Sequence, residues 1–248
     1  MNPVAFEIGN LSIRWYGIIM ALAFLVGAFI ATRLAEKRNI KKETVYDFLI
    51  WLIPFSLVGA RIGHVLNFWS NYSADPIKML YIWQGGLAFY GGLAGAVLAG
   101  LIFSKKNKIK FYDLADIFVI PLALGLAFGR IGNWINNEFY GKVSNLPWAI
   151  NFPGVEGKRH PSQFYESIKN FVVFGVLLWM YKFKKLPSGF IFWFFVFFYS
   201  TLRFFVEFFK DWQIIIWNLN WAQIIAIPLI PISLFMLSKI YKGEKLKN

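Results

Sequence analysis

Seven apolar runs recur along the sequence, and each is close to the length that crosses a lipid bilayer. They lie at about residues 15–34, 45–66, 86–103, 113–131, 167–182, 188–208 and 221–240. A membrane-spanning helix needs about 20 mostly apolar residues. The hydrophobic share of 58% and the mean hydropathy of +0.52 exceed those of an ordinary soluble domain. The pattern therefore predicts an all-α polytopic membrane protein with seven transmembrane helices.

Basic residues concentrate in alternate connections between these runs. They cluster at residues 33–42, 105–110 and 182–185, and further lysines follow the seventh run. Cytoplasmic connections of membrane proteins carry an excess of lysine and arginine, so the amino terminus is predicted to lie outside and the carboxy terminus in the cytoplasm. The net charge of +13 then reflects topology, and the expected partner is the bilayer and not nucleic acid.

One integral membrane domain, residues 1–248, is expected because no polar stretch is long enough for a second core. The first run is expected to be a retained span, since the basic and small-residue features of a signal peptide are missing before it. The segment at about 132–166 is the longest connection and is expected to form a partly ordered external loop. The sequence has no cysteine, so any thiol in the chemistry must come from a substrate.

A polar stretch follows directly on the fourth apolar run. Residues 129–141 read GRIGNWINNEFYG and include Arg130, three asparagines and Glu138. Charge at membrane depth is costly unless it faces a protein interior or a wet cavity, so Arg130 is predicted to mark a functional site. The alternative interpretation is a span that ends at Arg130 and is followed by a surface loop rich in asparagine and glycine.

Two further arginines, Arg61 and Arg203, lie near the predicted outer ends of spans two and six. Either could snorkel to the interface, but three arginines at one depth favour a shared site. Tyr199, Arg203 and Glu207 recur every four residues and form one polar stripe on their helix. Arg203 and Glu207 could simply neutralise each other, although a paired arginine still offers donors to an anion.

Other polar positions have a structural interpretation beside the functional one. Tyr16 suits the aromatic belt at the membrane interface, and His64 suits a hydrogen-bonded interfacial residue. Gly91 and Gly95 form a small-xxx-small pair, which favours close helix packing over binding of an anionic head group by backbone amides. The sequence around Ser162 lacks the glycine pattern of a serine-hydrolase nucleophile elbow.

Over nearly its whole length the chain resembles the phosphatidylglycerol:prolipoprotein diacylglyceryl transferase family of bacterial inner membranes. The stretch from Arg130 to Gly141 resembles the family signature of Gly-Arg, a small residue, Asn-aromatic, Asn, Glu and a closing Gly. The other motifs that carry the resemblance are Trp15-Tyr16-Gly17, Gly59-Ala60-Arg61, the glycine-rich start of span three, His160-Pro161-Ser162-Gln163, Tyr165-Glu166, and Arg203 with Glu207. One position departs, because the family often has histidine, discussed as the base, where this chain has Tyr90.

The resemblance implies transfer of the diacylglyceryl group of phosphatidylglycerol to the thiol of a lipobox cysteine in a prolipoprotein, with release of glycerol phosphate. It implies a multi-pass protein of the bacterial inner membrane. The predicted orientation of the spans places the three arginines, and with them the active site, toward the outer leaflet. Two distant histidines and no cysteine give no metal-ligand spacing, and no cofactor is expected. The expected catalytic residues are Arg130, Arg203, Tyr90 and Glu138. The expected substrate-binding residues are Tyr16, Arg61, Asn133, Asn136, Gly141, His160, Gln163, Tyr199 and Glu207.

In this interpretation Arg130 and Arg203 bind the lipid phosphate, because arginine offers charge-assisted and bidentate donors. The general base stays open among Tyr90, His64 and His160, or no base at all. Two other classes compete with the transferase: a transporter for an anion or lipid, and a structural membrane scaffold. A transporter moves its substrate unaltered, whereas a transferase leaves a lipidated peptide.

Overall fold

The computed structural model describes residues 2–9 and 11–245, which are mostly helical. The described residues form seven α-helices, which match the seven apolar runs to within a few residues at each end: α1 Trp15–Ala35, α2 Lys42–Asn67, α3 Phe89–Lys106, α4 Phe111–Ile135, α5 Ser162–Phe183, α6 Phe190–Val206 and α7 Trp221–Lys245. Five helical segments, those containing α1, α2, α4, α6 and α7, are long and apolar enough to cross a membrane. The seven spans and the orientation of the termini stay predictions.

Two short antiparallel hairpins accompany the helices. The first pairs β1 (Val4–Ile8) with β2 (Leu11–Arg14), and the second pairs β3 (Ile150–Asn151) with β4 (Lys158–Arg159). The second hairpin lies between the end of α4 and the start of α5. The connection is shorter than the expected 132–166 because both helices extend into that range. Strands of two to five residues are too short to give a clear alternation in the sequence.

The chain forms two compact units, and the smaller one comprises Ala31–Ala115. In it α2 packs along α3. A Cβ atom on Gly59 would meet the carbonyl oxygen of Gly91, and one on Gly95 would meet the carbonyl oxygen of Phe55. Backbones approach this closely only where side chains are absent. The packing interpretation of the small-xxx-small pair is therefore confirmed.

The larger unit comprises Met1–Ile30 and Asp116–Asn248. In it α6 packs against both α5 and α7. The buried carboxylate of Asp116 accepts hydrogen bonds from the backbone amides of Gly189 and Phe192, each at 2.8 Å. A carboxylate here satisfies amides that have no partner inside the helix and complements the helix dipole. Asp116 therefore fixes the start of α6, whose opposite end carries Tyr199 and Arg203.

Candidate active site

The polar cluster of the larger unit is built around Glu166, in the first turns of α5. Lys169 Nζ lies 2.7 Å from Glu166 Oε2, and Lys210 Nζ lies 2.6 Å from Oε1. Two arginines are farther away, with Arg203 Nη1 at 3.5 Å from Oε1 and Arg130 Nε at 4.0 Å from Oε2. Four cations, two lysines and two arginines, thus surround one carboxylate.

Glu207, in the 3-10 turn that follows α6, is the second carboxylate of this cluster. Its Oε1 lies 2.8 Å from Arg203 Nη2 and 2.9 Å from Lys210 Nζ, and its Oε2 accepts a hydrogen bond from Asn220 Nδ2 at 3.0 Å. Asn220 and Gln223 exchange side-chain to backbone hydrogen bonds of 3.1 Å at the start of α7, which is the arrangement of a capping box. The start of α7 therefore fixes the orientation of Glu207.

The cluster holds more positive than negative charge, because its four cations face the two carboxylates of Glu166 and Glu207. Buried charge is costly unless it is paired, so this excess favours an anionic ligand. The side chains of Lys169 and Lys210 are only 3% and 2% exposed, whereas those of Arg130 and Arg203 are 18% and 19% exposed. The side chains of the two arginines are therefore the more accessible cations of the cluster.

The arginines also keep donors for such a ligand. A guanidinium group has five N–H donors. Among the described residues, Arg130 donates one hydrogen bond, from Nη1 to Asn133 Oδ1 at 3.4 Å. Arg203 Nη1 donates to the hydroxyl of Tyr199 at 3.2 Å, and Arg203 Nη2 pairs with Glu207. This confirms that Tyr199, Arg203 and Glu207 form one connected stripe.

The residues after Arg130 form a hydrogen-bonded loop around Glu138. Asn133 Nδ2 and Asn136 Nδ2 donate to its carboxylate at 3.1 and 3.4 Å, and Gln163 Nε2 donates to its backbone carbonyl at 2.6 Å. Phe139 has a φ of +58°, which is strained for a side chain of this size. The start of α5 and the end of α4 together hold this loop in place.

Gly141 passes through a narrow gap between two other segments. Its amide donates to the carbonyl oxygen of His160 at 2.9 Å, and a Cβ atom at Gly141 would meet the carbonyl oxygen of Phe209. His160 Nδ1 lies 3.1 Å from the hydroxyl of Tyr165, and partial burial lowers the pKa of the imidazole. The lowered pKa favours the neutral form of His160. Gly141 is needed for packing whether or not it touches substrate.

Tyr16, at the start of α1, lies against the carboxy-terminal end of α4. A Cβ atom on Gly132 would lie 2.6 Å from the ring of Tyr16, so the ring occupies the space that a larger residue would fill. Gly132 is two residues from Arg130. This places Tyr16 beside the helix that carries Arg130, as a site role requires.

Arg61 belongs to the smaller unit and is only 7% exposed. Its guanidinium donates to the backbone carbonyls of Met79, Gly85, Gly86 and Lys78, at distances from 2.6 to 3.1 Å. It also lies over the ring of Tyr72, 5.2 Å from the centroid. Four of the five N–H donors of Arg61 therefore form hydrogen bonds with backbone carbonyls of the segment between α2 and α3.

Tyr90 also belongs to the smaller unit, at the start of α3, and is 54% exposed. It lines an apolar groove of about 450 Å³ whose other lining residues are Leu93, Ala94, Val97, Leu98 and Leu101. His64 contributes to a separate polar cavity of about 310 Å³, together with Arg61. The structure groups the other predicted site residues in the larger unit: Tyr16, Arg130, Asn133, Asn136, Glu138, Gly141, His160, Gln163, Tyr199, Arg203 and Glu207.

Four residues of the cluster were missed as site residues: Glu166, Lys169, Lys210 and Asn220. For the three charged residues a signal is present in the sequence, because Lys169 follows Glu166 by three residues and Lys210 follows Glu207 by three. Acid and lysine at this spacing share one face of a helical turn. The convergence of both pairs depends on how α5 and α6 pack, which the sequence pattern does not specify.

A mostly helical chain with five membrane-length helical segments is typical of a membrane protein, and the positive excess of its buried cluster favours an anionic ligand. The sequence model described as prolipoprotein diacylglyceryl transferase matches residues 3–239. The chain belongs to that family, and it is accordingly a bacterial membrane protein.

Curated relatives match along most or all of the chain. A phosphatidylglycerol–prolipoprotein diacylglyceryl transferase of Finegoldia magna is 39% identical over 248 residues, which cover 100% of this chain and 99% of the relative. Proteins of the same name from Geobacter sulfurreducens and Bacillus licheniformis are 40% and 37% identical, and the matches cover 85% and 100% of this chain and 83% and 96% of the relatives. The resemblance drawn from the sequence motifs is thereby confirmed.

Proposed function

We propose that this protein transfers the diacylglyceryl group of phosphatidylglycerol to the thiol of a lipobox cysteine in prolipoproteins, as a step of lipoprotein maturation. Membership of the family and the names of the curated relatives support the reaction. The proposal includes a location in the bacterial inner membrane, with the site toward the outer leaflet.

The excess positive charge of the buried cluster is the observation that carries this proposal. Four cations stand against two carboxylates, and the two more accessible cations are Arg130 and Arg203. A phosphate diester brings the missing negative charge and accepts charge-assisted hydrogen bonds, which guanidinium groups donate in a geometry that fits phosphate. Phosphatidylglycerol carries such a diester between its diacylglyceryl group and its glycerol head group.

The reaction breaks the bond between the glycerol carbon of the diacylglyceryl group and the phosphate oxygen. The sulfur of the cysteine attacks that carbon, a carbon–sulfur bond forms, and the electron pair of the broken bond leaves with glycerol phosphate. Negative charge grows on the phosphate in the transition state, where preorganised donors lower the barrier most. Arg130 and Arg203 supply those donors. Positive charge also lowers the pKa of a thiol from about 8.5, which makes the nucleophilic thiolate more abundant.

The remaining residues support the two arginines. Asn133 orients Arg130 and, with Asn136, offers amide groups to the head group. Glu138 holds both asparagines. Glu207 holds Arg203. The hydroxyls of Tyr16 and Tyr199 serve polar atoms of the lipid, while Gln163, His160 and Gly141 shape the loop around the site.

Two residues have a less direct place in this proposal. Arg61 acts by holding the segment between α2 and α3, because its donors already meet backbone carbonyls. Tyr90 acts on the incoming cysteine, either by positioning it or by receiving its proton. The rival bases are His160, whose pKa is lowered by burial toward the neutral form, and His64. Retention of full activity by Tyr90→Phe would remove the Tyr90 hydroxyl from the chemistry.

The topology that we propose has seven spans, an outside amino terminus and a cytoplasmic carboxy terminus. Because the sequence has no cysteine, single-cysteine variants report position without background. Glu156→Cys, between β3 and β4, is expected to react with a membrane-impermeant maleimide in intact cells. Lys185→Cys, after α5, is expected to react only after the membrane is opened. The reverse pattern would contradict the orientation.

The function itself is tested with purified protein, phosphatidylglycerol and a lipobox peptide in detergent. We expect the peptide to gain the mass of one diacylglyceryl group, and the gain to disappear when the peptide cysteine is replaced by serine. A folded protein that leaves both the peptide and the lipid unchanged would contradict the proposal and favour an anion or lipid transporter.

A further inference from the structure

Lys169 is a buried lysine in the cluster that none of the sequence motifs contains. Its side chain is only 3% exposed, and a buried lysine is costly unless its charge is paired. It makes two close contacts: Nζ lies 2.7 Å from Glu166 Oε2 and 4.1 Å from the centroid of the Tyr199 ring. Each contact leads to one of the two arginines that face the ligand.

The first contact separates Glu166 from Arg130. Lys169 bonds the same oxygen, Oε2, that Arg130 Nε approaches only to 4.0 Å. The other oxygen of Glu166 is bonded by Lys210. Each of the two carboxylate oxygens of Glu166 is thus bonded by a lysine. If Lys169 were removed, Oε2 would lose its close cation and Arg130, at 4.0 Å, could approach it, since a guanidinium group binds a carboxylate readily.

The second contact reaches Arg203 through Tyr199. A lysine ammonium over an aromatic face is attracted to the ring, so Lys169 restricts the position of the Tyr199 side chain. The hydroxyl of that side chain accepts the hydrogen bond from Arg203 Nη1 at 3.2 Å. Lys169 therefore restrains Arg203 on one side while it keeps Glu166 away from Arg130 on the other.

We infer that Lys169 is a positioning residue that keeps the guanidinium groups of Arg130 and Arg203 available to the lipid phosphate. This inference rests on the proposed transferase function. Lys169 meets no substrate itself. Its loss is expected to weaken binding of phosphatidylglycerol, because Arg130 turns to Glu166 in the lipid-free enzyme and the cluster loses one positive charge. Lipid that does bind draws Arg130 back to its phosphate, so the chemical step keeps its two arginines.

The test compares Lys169→Met and Lys169→Arg with the wild type in steady-state transfer assays at saturating lipobox peptide. We expect Lys169→Met to raise the KM for phosphatidylglycerol about tenfold and to change kcat by less than about threefold. Lys169→Arg keeps the charge and is expected to stay within about threefold of wild type in both constants. Lys185→Met, which removes an exposed lysine after α5, is the matched control.

A double variant makes the inference falsifiable even if Lys169→Met folds poorly. Glu166→Gln combined with Lys169→Met removes both partners of the buried pair, so the Glu166 carboxylate to which Arg130 would turn is gone. If Lys169 acts through Glu166, Lys169→Met raises KM far less in the Glu166→Gln background than alone, and the two effects are not additive. Equal effects in both backgrounds, or an unchanged KM for Lys169→Met, would overturn the inference. Absence of transfer by the wild type would instead overturn the proposed function.

Discussion

Arg61 and the pair Arg130 and Arg203 show two different uses of arginine in apolar helices. Arg61 donates four hydrogen bonds to backbone carbonyls and pairs with no carboxylate among the described residues. Arg130 and Arg203 stand near carboxylates that lysines already engage, and they stay partly exposed. The first arrangement uses guanidinium donors to fix a loop. We propose that the second keeps donors and positive charge for a ligand.

The difference shows that charge within an apolar run does not by itself identify a binding residue. Intramembrane charge is a sound starting hypothesis for function, but the partners of the donors decide between binding and structural support. In the larger unit, Lys169 and Lys210 each bond one carboxylate oxygen of Glu166. In the proposed site, the guanidinium groups of Arg130 and Arg203 therefore keep donors for the ligand.

The largest expected effect comes from Arg130→Ala. We expect kcat/KM for transfer to fall by at least about 100-fold, because the variant removes a donor to the charge that develops on the phosphate. Membrane insertion should persist, since loss of a charge from an apolar helix eases insertion. The matched control is Arg38→Ala, which breaks a partly exposed pair with Asp113 at 3.2 Å and is expected to keep activity. A folded Arg130→Ala protein with full activity would remove Arg130 from the site.

The next effect is on stability and comes from Arg61→Met. This change leaves several carbonyls of the segment between α2 and α3 without a donor, which we expect to cost about 2–3 kcal/mol. The expected readouts are a lower unfolding temperature and faster proteolysis between residues 68 and 88. The KM for phosphatidylglycerol of the folded fraction should stay within about twofold of wild type. A raised KM at unchanged stability would instead support the substrate contact that the sequence predicted for Arg61.

The smallest effect separates two tyrosines that touch arginines. Tyr199→Phe removes the hydroxyl that accepts a hydrogen bond from Arg203, and a neutral acceptor of this kind contributes about 1 kcal/mol. We therefore expect the KM for phosphatidylglycerol to rise about threefold to fivefold. Tyr72→Leu removes the ring beneath Arg61 and is expected to leave this KM unchanged while it lowers the unfolding temperature slightly. Equal effects of both changes on KM would contradict the proposed difference between the two regions.

The sequence predicted the helices well because their apolar runs are long. Each of α1 to α7 coincides with a predicted run, and α3 begins three residues later than expected because Gly85 and Gly86 adopt positive φ before it. The hairpins were not predicted, since so few residues carry no clear periodicity. Arg130 stood out because charge is rare in apolar runs.

The cluster around Glu166 was predicted only in part. Tyr199, Arg203 and Glu207 share one helix face, so their contact follows from spacing. The meeting of Lys169 and Lys210 on one carboxylate joins α5 to the turn after α6, and a contact between distant segments has no local signature. The same limit applies to Arg61: its charge near the end of an apolar run identified the residue, but its carbonyl partners lie 17 to 25 residues away in the sequence.

The most direct test of the central claim measures lipid binding without turnover. Wild-type protein in nanodiscs of neutral lipid is titrated with phosphatidylglycerol and with diacylglycerol, which has the same acyl chains and no phosphate, in the absence of peptide. We expect phosphatidylglycerol to bind at least about tenfold more tightly, and this preference to vanish when Arg130→Gln and Arg203→Gln are combined but to persist in Arg38→Gln. A preference that survives the loss of both arginines would contradict the assignment of the cationic cluster as the phosphate site.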